Sequence, residues 1–172
     1  MSEKEVAERA NITLKMANVS RQSAEIVSDQ MTAIWNNFDN GTKSLEHYAD
    51  VITALGAATA SSSDEIANGL EKFAAIADTI GLSYEYATSA LATVTAETRM
   101  SAETVGNAFK TIFARIQGLK LGETLEDGTD LNKYSEALDV IGVKIKDKTG
   151  ELRDMNDIFN DIGARWTQLS KD

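Results

Sequence analysis

Ser63-Asp64-Glu65-Ile66-Ala67, Ser83-Tyr84-Glu85-Tyr86-Ala87 and Ser101-Ala102-Glu103-Thr104-Val105 follow one template: a serine, an acidic residue close behind it, then an amphipathic run. A serine oxygen can accept from the orphan amides of a first helical turn, and a carboxylate there meets the positive end of the helix dipole. Behind Ser63 the apolar positions are Ile66, Leu70, Phe73, Ala74, Ala77 and Ile80. Behind Ser101 they are Val105, Phe109, Ile112, Phe113, Ile116 and Leu119, at identical offsets. Two matched stripes of helical spacing imply helices that face a shared core. The run after Ser83 has a lighter face, Tyr84, Ala87, Leu91 and Val94, expected in the middle of a bundle. Gly81 stands where a helix C-cap glycine belongs. Short links between three such helices predict an antiparallel bundle.

Upstream, a shorter helix is expected over 44–57, with Leu45, Tyr48, Ile52 and Leu55 on one face and Ser61-Ser62-Ser63 as its break. Residues 3–38 contain neither glycine nor proline, and Val6, Ile12, Val19, Ile26, Val27, Met31, Ile34, Trp35 and Phe38 suggest one stripe. They read as a single long helix, a candidate coiled coil, closed by Asn36-Asn37-Phe38-Asp39-Asn40-Gly41. Downstream, residues 118–130 form a glycine- and acid-bearing loop, and a short helix is expected over 131–141. Val143-Lys144-Ile145, Lys148-Thr149-Gly150 and Leu152 predict a small β-hairpin. A last helix carries Ile158, Phe159, Ile162, Trp166 and Leu169. The expected fold is mainly α: a long N-terminal helix (1–41), a compact helical bundle (42–120), then loop, short helix, β-hairpin and C-terminal helix (121–172).

Composition narrows the function. The 172 residues include no proline, where an average chain would hold about eight, which permits uninterrupted helices. A net charge of −10 disfavours direct nucleic-acid binding, because phosphates repel an acidic surface. With no cysteine there is neither a disulfide framework nor thiol chemistry. The charged opening Met1-Ser2-Glu3-Lys4-Glu5 does not resemble a secretory signal. The uncharged stretch 51–63 is too short and too rich in small polar residues to span a bilayer. The sequons at Asn11, Asn18 and Asn40 are accordingly expected to carry no meaning, and the ending at Lys171-Asp172, straight after a helical pattern, suggests an excerpt of a longer protein.

Catalytic chemistry finds little to work with. His47 is the sole histidine, so a triad has one candidate base and a metal has no histidine pair; beside Tyr48 it reads as a satisfied surface or boundary residue. Acidic pairs such as Asp64/Glu65 or Glu123/Glu126 could serve as acid and base, but capping and solvation explain them. Glu123, Glu126, Asp127 and Asp130 lack the order of a calcium loop, and Asp127-Gly128-Thr129-Asp130 reads instead as a turn that caps the Leu131 helix. Neither GxxxxGK[ST] nor GxGxxG occurs. Trp35 and Trp166 sit in phase with apolar stripes, as core tryptophans do. The chain is therefore expected to be no enzyme and to have no catalytic, cofactor-binding or metal-ligating residues, and no cofactor.

Several blocks, taken in order, resemble the core region of phage tail tape measure proteins. They are 57–66, 73–83, 90–96, Ser101-Ala102-Glu103-Thr104-Val105-Gly106 with 109–116, and Ala137-Leu138 to Gly142-Val143 with Gly150-Glu151-Leu152-Arg153-Asp154-Met155 and Ile158. The resemblance spans about residues 45–172 and carries no catalytic residues. It implies a virion component that helps determine tail length and scaffolds tail tube assembly, with a role in genome delivery. It also implies partners: further copies of itself in a homo-oligomer, tail tube and tail-tip proteins, and tail assembly chaperones, with residence in the virion tail and, during assembly, in the host cytoplasm. A helix adds about 1.5 Å per residue, so a ruler must be extended, and only residues 3–38 suggest that. The alternative is a helical interaction module outside any virion. Against it, Trp35-Asn36-Asn37 and Trp166-Thr167-Gln168 lack the Trp-x-Gly turn of small secreted helical hairpins, and heptads stop near Phe38.

Overall fold

A computed structural model describes residues 1–120 and 131–169; for 119, 120, 131, 132, 134 and 166–169 it describes the backbone alone. Eight helices are present among these residues: α1 (Glu3–Ser20), α2 (Ala24–Phe38), α3 (Leu45–Ala58), α4 (Ser63–Ile80), α5 (Tyr84–Thr98), α6 (Ala102–Lys120), α7 (Leu131–Val140) and α8 (Met155–Leu169). The fold is mainly α. The expected hairpin is reduced to one antiparallel bridge, Lys146 to Leu152.

The helix starts obey one rule. Ser2, Ser23, Ser44, Ser83 and Ser101 each accept a hydrogen bond from the amide three residues on, at 3.2–3.3 Å. The start of α4 lies one residue earlier than the template suggests: Ser62 is its N-cap, and its N–H and hydroxyl both donate to the Glu65 carboxylate at 2.9 Å. Ser63 is the first helical residue and is buried, because its backbone packs on Gly56, where an added Cβ would stand 2.7 Å from the Ser63 nitrogen. Gly81 closes α4 at φ 87, with Leu82 N–H donating to Ala77 O at 2.9 Å, the bond of a Schellman turn.

The single helix expected over residues 3–38 is two helices folded against each other and against the bundle, not a coiled-coil rod. Arg21 adopts the left-handed conformation, φ 60, and Ser23 starts α2. A left-handed arginine costs about 1–2 kcal/mol. The reversal lets Ile12 and Met16 bury on one side, and Val27, Met31, Ile34 and Trp35 on the other. Each such side chain contributes about 1.5–3 kcal/mol when fully buried, so burial outweighs the turn. Val6, Val19 and Ile26, read as part of one stripe, are exposed. The reversal is pinned by Gln22, which donates to Asp64 at 3.2 Å. Lys15 pairs with Glu46 at 2.8 Å, joining α1 to α3.

The corrected boundaries expose an internal repeat. Cap serines 23, 62 and 101 lie 39 residues apart, as do 44 and 83. Val27, Met31, Ile34, Trp35 and Phe38 of α2 occupy the offsets of Ile66, Leu70, Phe73, Ala74 and Ala77 in α4 and of Val105, Phe109, Ile112, Phe113 and Ile116 in α6. In the same register, Leu45, Tyr48, Ala49 and Ile52 of α3 match Tyr84, Ala87, Thr88 and Leu91 of α5, all buried. The helices pack accordingly, α2 on α4 and α4 on α6 in one row, α1 on α3 and α3 on α5 in the other. The middle of the array is α4 rather than α5.

Hydrogen bonds from aromatic residues join α2 to α3 and α3 to α5. Trp35 Nε1 donates to Leu45 O at 3.1 Å, Tyr48 OH to Phe38 O at 3.0 Å, and Tyr84 OH to Tyr48 O. The closest contact is between α4 and α6. A Cβ on Gly106 would lie 2.4 Å from Gly69 O, and one on Gly69 would lie 2.7 Å from Ala102 O. Both obstacles are backbone, so neither can swing aside. Phe73 then sits edge-on to Phe109 and Phe113, with centroids at 5.3 and 5.7 Å.

Gly106→Ala should therefore destabilise the chain by about 1–3 kcal/mol in urea melts, as overpacking does. Gly163→Ala in α8, where nothing lies within 4 Å of the new methyl, should stabilise by about 0.5–1 kcal/mol through helix propensity. Equal effects from the two substitutions would contradict the crossing. Phe113→Ala should cost about 3–5 kcal/mol if its ring is core; a loss below about 0.5 kcal/mol would place it on the surface.

Candidate functional site

The C-terminal elements build an apolar concavity against α6. Past α7 the chain turns through Gly142, φ 77, with Val143 N–H donating to Leu138 O at 2.9 Å. It enters the bridge, whose turn is organised by Asp147: the carboxylate accepts from Thr149 N at 2.8 Å, Thr149 Oγ1 at 2.6 Å and Glu151 N at 3.0 Å. Asp154 caps α8, accepting from Asn156 N at 2.8 Å and Asn156 Nδ2 at 2.9 Å. Asn156 Oδ1 accepts from Ser83 N at 3.1 Å, tying α8 to the α4–α5 turn. Phe159 lies 6.2 Å from both Tyr86 and Phe113. Arg153 donates to Lys144 O and pairs with Asp161 at 2.9 Å.

These ties leave a groove of about 290 Å³ between α6 and the C-terminal elements. Its walls are Ile112 and Ile116 of α6, Leu138 of α7, Ile145 and Leu152 beside the bridge, and Met155, Ile158, Phe159 and Ile162 of α8. Arg115 also lines it and makes no ion pair among the described residues. Apart from Arg115 these walls are apolar, so the groove can bind apolar surface. Ile112 is 48% exposed at its edge.

A second cavity, also about 290 Å³, is polar and lies between the α3–α4 turn and the end of α5. Ser61, Glu65, Thr95 and Arg99 line it, and the Ser61 and Thr95 hydroxyls are buried without a protein partner. Glu65 is engaged by Ser62, and Asp64 accepts from Gln22. The two neighbouring carboxylates thus serve separate structural bonds.

His47 bridges the layers, its Nε2 2.7 Å from Glu85 Oε1 and its ring against Tyr48 and Tyr84. Sequence offered no sign of this partner, 38 residues away, except that both follow cap serines in the same repeat. Trp35 is buried, and the Arg9 guanidinium lies 5.0 Å from its ring centroid. Among the described residues no group of three or more histidine and acidic side chains could hold a metal. Glu123, Glu126, Asp127, Asp130 and the side chains of Leu119, Trp166 and Leu169 lie outside the described residues. No described helix is long and apolar enough to cross a membrane.

Among the described residues, three carboxylates lose protons more readily in the fold than in the open chain. Burial alone would raise the Glu85 pKa, but the His47 hydrogen bond helps bring it below the ordinary value. Bonds from Thr149 lower Asp147, and bonds from Asn156 lower Asp154. A depressed folded pKa contributes stability above the unfolded value, near pH 4, and loses it as pH falls through the folded value. The melting temperature should hold near neutrality and drop below about pH 4. Asp147→Asn, which keeps an accepting oxygen but cannot titrate, should flatten part of that acid limb; an unchanged curve would remove Asp147 from the linkage.

The family model described as phage-related minor tail protein matches residues 1–172, and the chain belongs to that family. It is a phage tail protein, a structural component of the tail that associates with other tail components. No solved structure matches it.

Proposed function

We propose that this member of the minor tail protein family is the core region of a tape measure protein, and that residues 1–172 act in it as a folded scaffold domain for tail tube assembly. Its partners in this reading are further copies, tail tube and tail-tip proteins and tail assembly chaperones, met in the host cytoplasm before the virion tail is complete. The domain does this work without catalysis: it presents surfaces. Tail length determination and passage toward the host envelope during genome delivery belong to the same protein, length being measured by extended helix elsewhere in it.

The observation that favours a scaffold over a ruler in this segment is the reversal at Arg21. A rod of residues 3–38 would add roughly 50 Å to a tail at helical rise. The folded-back pair α1–α2 adds no such length, and α2 packs on α4.

Deleting residues 1–172 in frame from the phage gene, then measuring tails by electron microscopy, separates the readings. A scaffold predicts absent tails or tails of scattered length. Intact tails uniformly shorter by about 260 Å, the helical length of 172 residues, would establish a ruler instead. Normal tails in virions that never contained the segment would move it to an interaction module outside the virion.

A further inference from the structure

The row of α2, α4 and α6 ends without a cover. Ile34 and Phe73 are fully buried, Phe73 beneath Phe109 and Phe113 of the next helix. Ile112 holds the same place in α6, where the row stops, and is 48% exposed. The C-terminal elements flank it without closing over it, giving the groove buried Ile145, Met155 and Ile158 and half-buried Phe159. Such side chains offer an occupant no strong hydrogen-bond partner. Arg115, on α6 beside Ile112, is the exception. Its side chain is exposed at the groove and has no ion-pair partner among the described residues, in a chain of net charge −10.

We propose that this groove binds a free fatty acid of medium chain length, its alkyl chain against the walls between Ile112 and Phe159 and its carboxylate on the Arg115 guanidinium. Charge complementarity selects this occupant. One cation on an otherwise apolar lining is the counterpart of a hydrocarbon body with one anionic head. A guanidinium meets a carboxylate through two parallel N–H donors, and it stays charged at every working pH. An extended peptide fits poorly, because its amides would leave water and find no partner on these walls. Size agrees: an apolar cavity of about 150 Å³ takes benzene, so about 290 Å³ takes a chain of about ten carbons. Such a site is independent of any scaffold role in a tail, and failure of either leaves the other standing.

Isothermal titration of the full 172-residue chain with octanoate, decanoate and dodecanoate, each below its micellar concentration, tests the site. Decanoate should bind one to one and raise the melting temperature. Each added methylene should tighten binding about three- to fourfold until the groove is full. Decanol and decyltrimethylammonium, which lack the anionic head, should bind at least about tenfold more weakly. Arg115→Gln, at an exposed position, should hold decanoate no better than decanol, and Ile112→Gln should weaken both alike. Absence of decanoate binding overturns the proposal and leaves the groove to a protein partner. Affinity that ignores chain length or head group overturns it, as does an unchanged Arg115→Gln. Many molecules bound per chain, or a lowered melting temperature, would mean detergent action on the unfolded chain. Binding to phosphatidylglycerol vesicles but not to free decanoate would mean a lipid surface. Either result overturns it too.

Discussion

Everything in the array is placed by the approach of α4 to α6 at Gly69 and Gly106. Side chains normally hold helix axes about 8–10 Å apart, and removing Cβ from both partners allows the backbones themselves to touch. Once that crossing is set, Phe73 must meet Phe109 and Phe113, and the remaining rows find their spacing from α4. The constraint also explains why α4 is so rich in alanine: Ala67, Ala74 and Ala77 are all buried, in a helix surrounded by neighbours. Small residues there do not thin the core; they bring the helices closer.

Around this axis the 39-residue repeat supplies economy. One unit cannot bury its own stripe, and stacking three of them does, which is the usual physics of repeat arrays. The units are not copies in sequence. Where α4 has Gly69, α2 has Gln30 and α6 has Ala108; where α6 has Gly106, α2 has Ser28. The glycine contact is therefore local to one crossing, and the common elements are the serine cap, the acidic first turn and the offsets of the apolar stripe. The C-terminal bridge and α8 depart from the repeat and are held by polar ties, Asp154 at the cap and Asn156 to Ser83.

The groove beside Ile112 is apolar, and the polar cavity at Ser61 and Thr95 places its hydroxyls out of reach of solvent. The groove itself could not be read in advance. Its walls come from α6, α7, the bridge and α8, and Ile112 carries the same helical signal as its buried counterparts Ile34 and Phe73.

The sequence by itself determined the helices from Leu45 onward, the caps at Ser83 and Ser101, the Gly81 terminus and the turn at Gly150, because caps and apolar spacing act within a few residues. It also pointed to a phage tail protein. Tertiary structure alone decided that residues 3–38 fold back, since the left-handed position there is held by arginine and not by glycine, and the energy that drives it there comes from Ile12 and Trp35 burying against distant helices. It likewise decided the His47–Glu85 pair, the glycine crossing and which apolar residues stay in water. Local signals specify where a helix begins; which of its faces is covered depends on neighbours that only the folded chain brings together.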